Sequence, residues 1–238
     1  MKVYAKLITD ENLNLEFRRS TILQFGDSWD IIGNIILINP GSANPNKDLI
    51  EECEIKNISN TIKQEVATNE WFKFNPDSTM RQIEKLFNGS YFKANPSQEY
   101  PNKKLNGVIL LFNLFNLKDA NLEQALKKIE GCETENMFTL NDDIKLIGKE
   151  PLYIGWGKVG LGQKGYNKTI RETLQKYAKE AFDKIKENDN GHYLDDNFNN
   201  NSFYHPGFIN RSHSTYSKKL LQKFAEKELN YQYDYDIC

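Results

Sequence analysis

Asn39, Asn113 and His205 each stand just past an apolar run. The runs are Asn34-Ile35-Ile36-Leu37-Ile38 before Asn39, Val108-Ile109-Leu110-Leu111-Phe112 before Asn113, and the short Phe203-Tyr204 before His205. A fourth segment of the same design is Leu152-Tyr153-Ile154-Gly155-Trp156-Gly157. An Asn amide can hold a substrate group or orient a water, but it is a poor proton acceptor. Strong base catalysis is therefore not expected at Asn39. Asn113 offers a donor and an acceptor side by side, the pattern that reads an amide-like edge such as that of a nucleobase. Asn116 is a second candidate for the same role. His205 could donate a hydrogen bond to a leaving group that gathers negative charge.

The neighbours of these residues extend the reading. Pro40 fixes a turn, and Gly41 lets a backbone or ligand approach closely. Phe208 and Ile209 are apolar residues in an expected surface loop and could act as a wedge entering a base stack. Arg211 and Lys158 could hold phosphate. Each segment also has a plain structural reading. Asn-Pro-Gly is a common turn, Asn113 could cap a loop, and His205–Arg211 could be a surface turn over a buried aromatic. Trp156 and Gly157 are read as structural. His192 and His213 lack partners at metal-ligand spacing, and the scattered Cys53, Cys132 and Cys238 are read as free thiols.

Residues placed this way need elements to hold them. Val3–Ile8 and Leu15–Phe25 are rich in β-formers around a turn at Asp10-Glu11-Asn12, which predicts an N-terminal hairpin within residues 1–28. Ile31–Ile38, Val108–Phe112 and Pro151–Trp156 read as strands buried on both faces. Ser202–Tyr204 reads as a short last strand. Helical spacing appears over 47–66, after Pro76 with Asp77 or Ser78 as cap, and over Leu122–Ile129. It returns over Lys168–Asn188, with Thr169 and Glu172 as a capping box, and around Tyr216–Leu229. Strands alternating with helices predict a parallel sheet covered on both faces. In such a sheet, ligands bind outside the carboxyl ends of the strands, which places the four segments around one pocket. No linker divides the chain, so residues 1–238 are read as one domain, with loops at 88–106 and in the Asn-rich stretch 188–202.

Composition narrows the setting. The 238 residues carry a net charge of -2, which gives no global signature of a nucleic-acid binder. Yet residues 151–171 and 197–225 hold eight basic residues and no acidic one. Both stretches contain one of the four segments, so a positive rim on an acidic body is expected, able to attract phosphates. No apolar run approaches a membrane span, and Met1–Lys6 has no signal-peptide core. A cytoplasmic protein with no membrane partner is expected.

The order of the motifs resembles the uracil-DNA glycosylase superfamily, especially its mismatch-specific (thymine-type) branch. That branch carries an Ile-Asn-Pro-Gly turn, as Ile38-Asn39-Pro40-Gly41 does here. The superfamily's base-reading Asn follows a Leu-rich strand, like Leu110-Leu111-Phe112-Asn113. Its Leu-Leu-Trp-Gly strand is similar to Tyr153-Ile154-Gly155-Trp156-Gly157, and its His-Pro-Ser-Pro-Leu loop to His205-Pro206-Gly207-Phe208-Ile209. The chain also resembles a bacterial domain family of unknown function with the same motif order. Its Asn-Leu-Phe motif matches Asn113-Leu114-Phe115. Short blocks match across about residues 30–215.

The resemblance implies a three-layer α/β/α sandwich with a central four-stranded, mainly parallel sheet, plus the N-terminal hairpin. It implies cleavage of an N-glycosidic bond in DNA, double- or single-stranded, with the target base flipped out, by a monomeric enzyme without metal or redox cofactor. Asn39 would position the attacking water, His205 would hydrogen-bond the departing base, and Asn113 would read its edge with Asn116 nearby. Ser42, Lys158 and Arg211 would meet the DNA backbone, with Phe208 and Ile209 as wedge. The strict uracil enzymes have an acidic residue at the place of Asn39 and a bulky Tyr near Gly41. Glycine there leaves room for a larger pyrimidine, such as thymine or a 5-substituted cytosine, including hypermodified bases of phage DNA and a role in phage defence. Gly207-Phe208 departs from the family's Ser-Pro, and an insert at about 45–75 is extra. Trp71, Phe72, Phe74 and Phe92 are candidates for the aromatic that stacks on the base.

Overall fold

The computed structural model describes residues 1–90, 103–132, 134–157, 167–187, 198, 203–207 and 215–229, the last stretch with side chains from Leu220 onward. Six strands form one open, mixed sheet. They are β1 (Lys2–Asp10), β2 (Leu15–Phe25), β3 (Ile31–Leu37), β4 (Trp71–Phe74), β5 (Gly107–Asn113) and β6 (Leu152–Ile154), in the order β4-β1-β2-β5-β3-β6. Only β5, β3 and β6 run parallel to their neighbours, and β2 joins them antiparallel to β5.

This corrects the expected four-stranded, mainly parallel sheet with a separate hairpin. The hairpin's β2 carries enough buried apolar residues to pair with β5, so the hairpin extends the central sheet. The insert at about 45–75 supplies the edge strand β4, antiparallel to β1. The expected strand at Ser202–Tyr204 is reduced, among the described residues, to one bridge between Phe203 and Gly157.

Alternation along the strands sorts the core into two halves. Tyr4, Ile36, Val108, Leu110, Phe112, Leu152 and Ile154 point to one face. There they pack with α1 (Glu52–Ile62), α3 (Leu122–Ile129), α4 (Leu140–Asp143) and α5 (Lys168–Glu187). Val3, Ala5, Ile35, Leu37, Ile109, Leu111 and Tyr153 point to the other face, against α2 (Ser78–Phe87) and α6 (Thr215–Glu228). Helices thus cover both faces of the sheet.

The helices form where their apolar spacing and caps require. In α2, Asp77 accepts a hydrogen bond from the Met80 N–H at 2.9 Å, while Met80, Ile83, Leu86 and Phe87 are buried. In α5 the cap is Asn167, whose side chain accepts from the Thr169 N–H, rather than the expected Thr169 box. An Asn two residues earlier satisfies one of the free N–H groups, so the helix begins before the box can form.

One irregularity in the hairpin matters for the site. Tyr4 pairs with Ile22, but Lys6 pairs with Arg19, so Ser20 and Thr21 together oppose Ala5. Ser20 has φ 52°, the left-handed conformation that such a bulge uses. The extra residue inverts the alternation of β2. Ile22 shares a face with Phe17 and Arg19, while Arg18 turns to the face of Leu23.

Candidate active site

The parallel strands β3 and β5 end side by side, and their pairing continues into the loops beyond them. The Leu114 N–H donates to the Leu37 carbonyl at 2.8 Å and the Phe115 N–H to the Ile38 carbonyl at 3.1 Å. These bonds lock the turn at Asn39 against the segment after Asn113. His205 is brought to the same end by a separate set of contacts. The Tyr153 hydroxyl donates to the Tyr204 carbonyl at 2.6 Å, and Trp156 stacks edge-on against Phe203. Pro206 lies over Gly155 so closely that a Cβ there would sit 2.8 Å from the proline Cδ. Any side chain at 155 would push the His205 turn away from the sheet.

The result is a cavity of about 230 Å³ whose wall includes Asn39, Gly41, Asn113 and His205. Three distant parts of the chain, the Asn39–Gly41 turn, Asn113 and His205, line one pocket. Leu37, Met80, Leu111 and Leu122 make its apolar surface. Arg18, Asp77, Thr79 and Asp119 complete its polar one.

Asn113 is 3% exposed, yet neither atom of its amide has a hydrogen-bond partner. An orphaned buried amide costs about 1–3 kcal/mol. Asn34 is buried in the same state away from the cavity, whereas Asn113 lines the cavity, where a ligand can supply the missing partners. Asn116 is the opposite case. Its Nδ2 donates to the Asn136 carbonyl at 3.0 Å and to Thr139 Oγ1 at 2.9 Å, and it does not line the cavity. The expected base-binding role of Asn116 is therefore replaced by a structural one: the residue ties the loop after β5 to the start of α4.

Asn39 spends its amide hydrogens on the backbone. Nδ2 donates to the Pro40 carbonyl at 2.9 Å and to the Asp119 carbonyl at 3.1 Å. Its remaining group is the Oδ1 acceptor, which suits a water that donates. At His205, the Gly207 N–H donates to Nδ1 at 3.1 Å, which places the neutral ring's proton on Nε2. Burial pushes the imidazolium down to about 4, against the opposing pull of the Asp77 carboxylate. His205 is thus a neutral donor at physiological pH.

Gly41 lines the cavity, and a Cβ there would meet only Asp77 Oδ2, at 3.4 Å. Alanine would fit, whereas a bulky side chain would fill the space. Ser42 is exposed beside the cavity and does not line it. Lys158, Phe208, Ile209 and Arg211 lie outside the described residues, as does Phe92. Of the other aromatic candidates, Trp71, Phe72 and Phe74 belong to the core or its margin, and none lines the cavity.

Three charged residues of the wall were not expected in the site, and Asp77 was read only as a helix cap. Asp119 accepts from the Asn121 N–H at 2.8 Å and from Lys128 Nζ at 2.8 Å. Burial alone would raise its carboxyl, but those two donors outweigh it and hold the pKa below the usual range. Asp77 caps α2 and acts electrostatically on both His205 and Arg18. Arg18 is 2% exposed, in a strand whose sequence shows no motif around it. The sequence signal was a pair of arginines, Arg18 and Arg19, between the buried Phe17 and Ile22.

No family model, curated protein or solved structure matches this chain. Among the described residues, no helix is long and apolar enough to cross a membrane.

Proposed function

We propose that the protein is a monofunctional DNA glycosylase of the uracil-DNA glycosylase type, acting on a flipped-out modified or mismatched pyrimidine and leaving an abasic site. The observation that carries this reading is the buried, unpartnered Asn113 amide, set in one cavity with Asn39 and His205. A flipped base offers the missing donor and acceptor along one edge. In the proposed reaction the bond between the sugar C1′ and the base breaks, and the base leaves with the electron pair. Water adds its oxygen to C1′, and its proton ends on the base or in solvent. Asn39 Oδ1 accepts a hydrogen bond from that water, and His205 Nε2–H donates to the base oxygen as negative charge gathers. A neutral histidine suits the second task, since it stabilises the anion without first giving up a proton.

The parallel β5-β3-β6 core with helices on both faces supports the three-layer arrangement of that superfamily, with β1, β2 and β4 as additions. Gly41 supports a roomy pocket, and with it a bulky pyrimidine such as a hypermodified base of phage DNA, in keeping with a role in phage defence.

Base release from labelled duplexes and single strands tests this reading. The panel holds uracil, mismatched thymine, hydroxymethylcytosine and glucosylated hydroxymethylcytosine. Abasic sites should form with one of them and fall by about 10²–10³ in Asn39→Ala, Asn113→Ala and His205→Ala. Release that persists undiminished in all three variants would show that this cavity is not the active site.

A further inference from the structure

Arg18 holds a buried charge for which the protein supplies little. No carboxylate lies within 4.0 Å of it, since Arg18 has no ion pair among the described residues. Its one hydrogen bond there is the long one from Nη1 to the Ala43 carbonyl, at 3.4 Å. Its Nε is buried with no partner at all. The guanidinium carbon lies over the Phe74 ring, 5.6 Å from its centre, and the ring face accepts none of the in-plane hydrogens. Nε and Nη2 therefore both remain for a ligand, and they form one edge of the guanidinium. That edge carries two parallel N–H groups at the spacing of two oxygens on one carboxylate or phosphate.

The position is built, not incidental. The bulge at Ser20 is what turns Arg18 onto the cavity face of β2, and the N–H of Arg18 is fixed to the Asn116 carbonyl at 3.0 Å. Burial lowers the guanidinium to about 10, so it still carries its charge at neutral pH. The two acids of the wall do not discharge it. Asp119 is taken by Lys128, and Asp77 stands beyond ion-pair distance.

We propose that the ligand of this cavity carries an oxyanion, a carboxylate or a phosphate, that Arg18 receives through its Nε and Nη2 edge. This rests on the reading of the cavity as a pyrimidine site and sharpens it. A phosphate of the DNA backbone stays at the mouth of a base pocket, so a group reaching a residue this buried belongs to the base or to a free nucleotide. The two sources are an acidic substituent on the pyrimidine ring and the terminal phosphate of a nucleotide.

Calorimetric titration separates them, using uracil, 5-carboxyuracil, uridine, uridine 5′-monophosphate and inorganic phosphate as probes. An anionic probe should bind about tenfold or more tightly than its neutral counterpart. Arg18→Met should remove that preference, so that the anionic probe binds no more tightly than its neutral counterpart. A gain confined to 5-carboxyuracil assigns the oxyanion to the base; a gain confined to the monophosphate assigns it to a nucleotide. The wild-type comparison stands even if Arg18→Met does not fold. Equal binding of neutral and anionic probes, a preference that survives in Arg18→Met, or no binding of any probe overturns the proposal. Binding of phosphate without binding of uracil or uridine keeps the oxyanion site and removes the pyrimidine reading. Binding of uracil without an anionic preference does the reverse.

Discussion

Two buried charges lie on opposite faces of the sheet and are treated in opposite ways. Glu54 on α1 receives the Tyr4 hydroxyl at 2.7 Å, Lys73 Nζ at 2.8 Å and the Glu51 N–H at 3.0 Å. Arg18 receives one weak contact and a ring face. The same contrast is repeated with neutral side chains three residues apart, since Asn116 is saturated by the protein and Asn113 is not bonded at all. Burial alone therefore does not mark a functional residue here. What marks one is burial without a partner, in the wall of a cavity. Glu54 and Asn116 hold the fold; Arg18 and Asn113 are held by it.

That contrast can be broken by substitution, and the largest effect is expected at Glu54. Glu54→Gln leaves Lys73 without its counter-charge and should lower stability by about 3 kcal/mol in chemical denaturation. The acid behaviour follows from the same contacts. Burial would raise the Glu54 carboxyl, but the hydrogen bonds from Lys73, the Glu51 N–H and Tyr4 bring it down to about 2. The unfolded chain takes up that proton near 4.5, so the stabilisation is complete above 4.5 and is lost as the pH falls to about 2. Glu54→Gln should flatten that part of the stability profile.

A smaller loss is expected at Asn116. Asn116→Ala strands the Asn136 carbonyl and breaks the chain through Thr139 to Asp143, which should lower stability by about 2 kcal/mol. Asn113→Leu should do the reverse. It removes an amide with no partner and should leave stability in chemical denaturation unchanged or raise it by up to about 1 kcal/mol, while base release is lost. A clear destabilisation by Asn113→Leu would sink the distinction between the two asparagines.

At neutral pH the smallest effect is expected at His205, where the change is a displaced titration. His205 stays neutral in the folded protein down to about 4, whereas an ordinary histidine titrates near 6.5. Between those values the unfolded chain binds more protons, so stability falls as the pH drops through that window. His205→Gln should remove this slope. The rate of base release should likewise stay level from about pH 8 to pH 5; an acid limb near 6.5 would show that the ring is not buried as described.

The sequence made some of this legible and hid the rest for identifiable reasons. The helices over Ser78–Phe87 and Leu122–Ile129 were readable because cap and apolar period agree. The convergence of Asn39, Gly41, Asn113 and His205 was readable because strand ends in a parallel sheet share one side. The role of the hairpin was not, because alternation along Leu15–Phe25 shows that a strand is buried without saying which strand it meets. Arg18 was hidden by the bulge, since a one-residue slip in facing leaves no mark in composition or period. Asn113 and Asn116 could not be told apart, because their difference lies in partners contributed by residues 136 and 139.

The bulge at Ser20 also bears on how such a pocket changes over generations. Loss of a single codon at Ser20 would restore strict alternation to β2 and leave Arg18 on the face of Leu23, because Ser20 and Thr21 share the one place opposite Ala5. Drawing Ser20 into regular pairing at unchanged length would instead turn Arg18 to the opposite side and take its charge from the pocket without any substitution in the wall. Among related chains, a gap of one residue before Thr21 is therefore compatible with the same pocket, whereas a residue at 20 that disfavours the left-handed conformation is the sign of altered ligand choice.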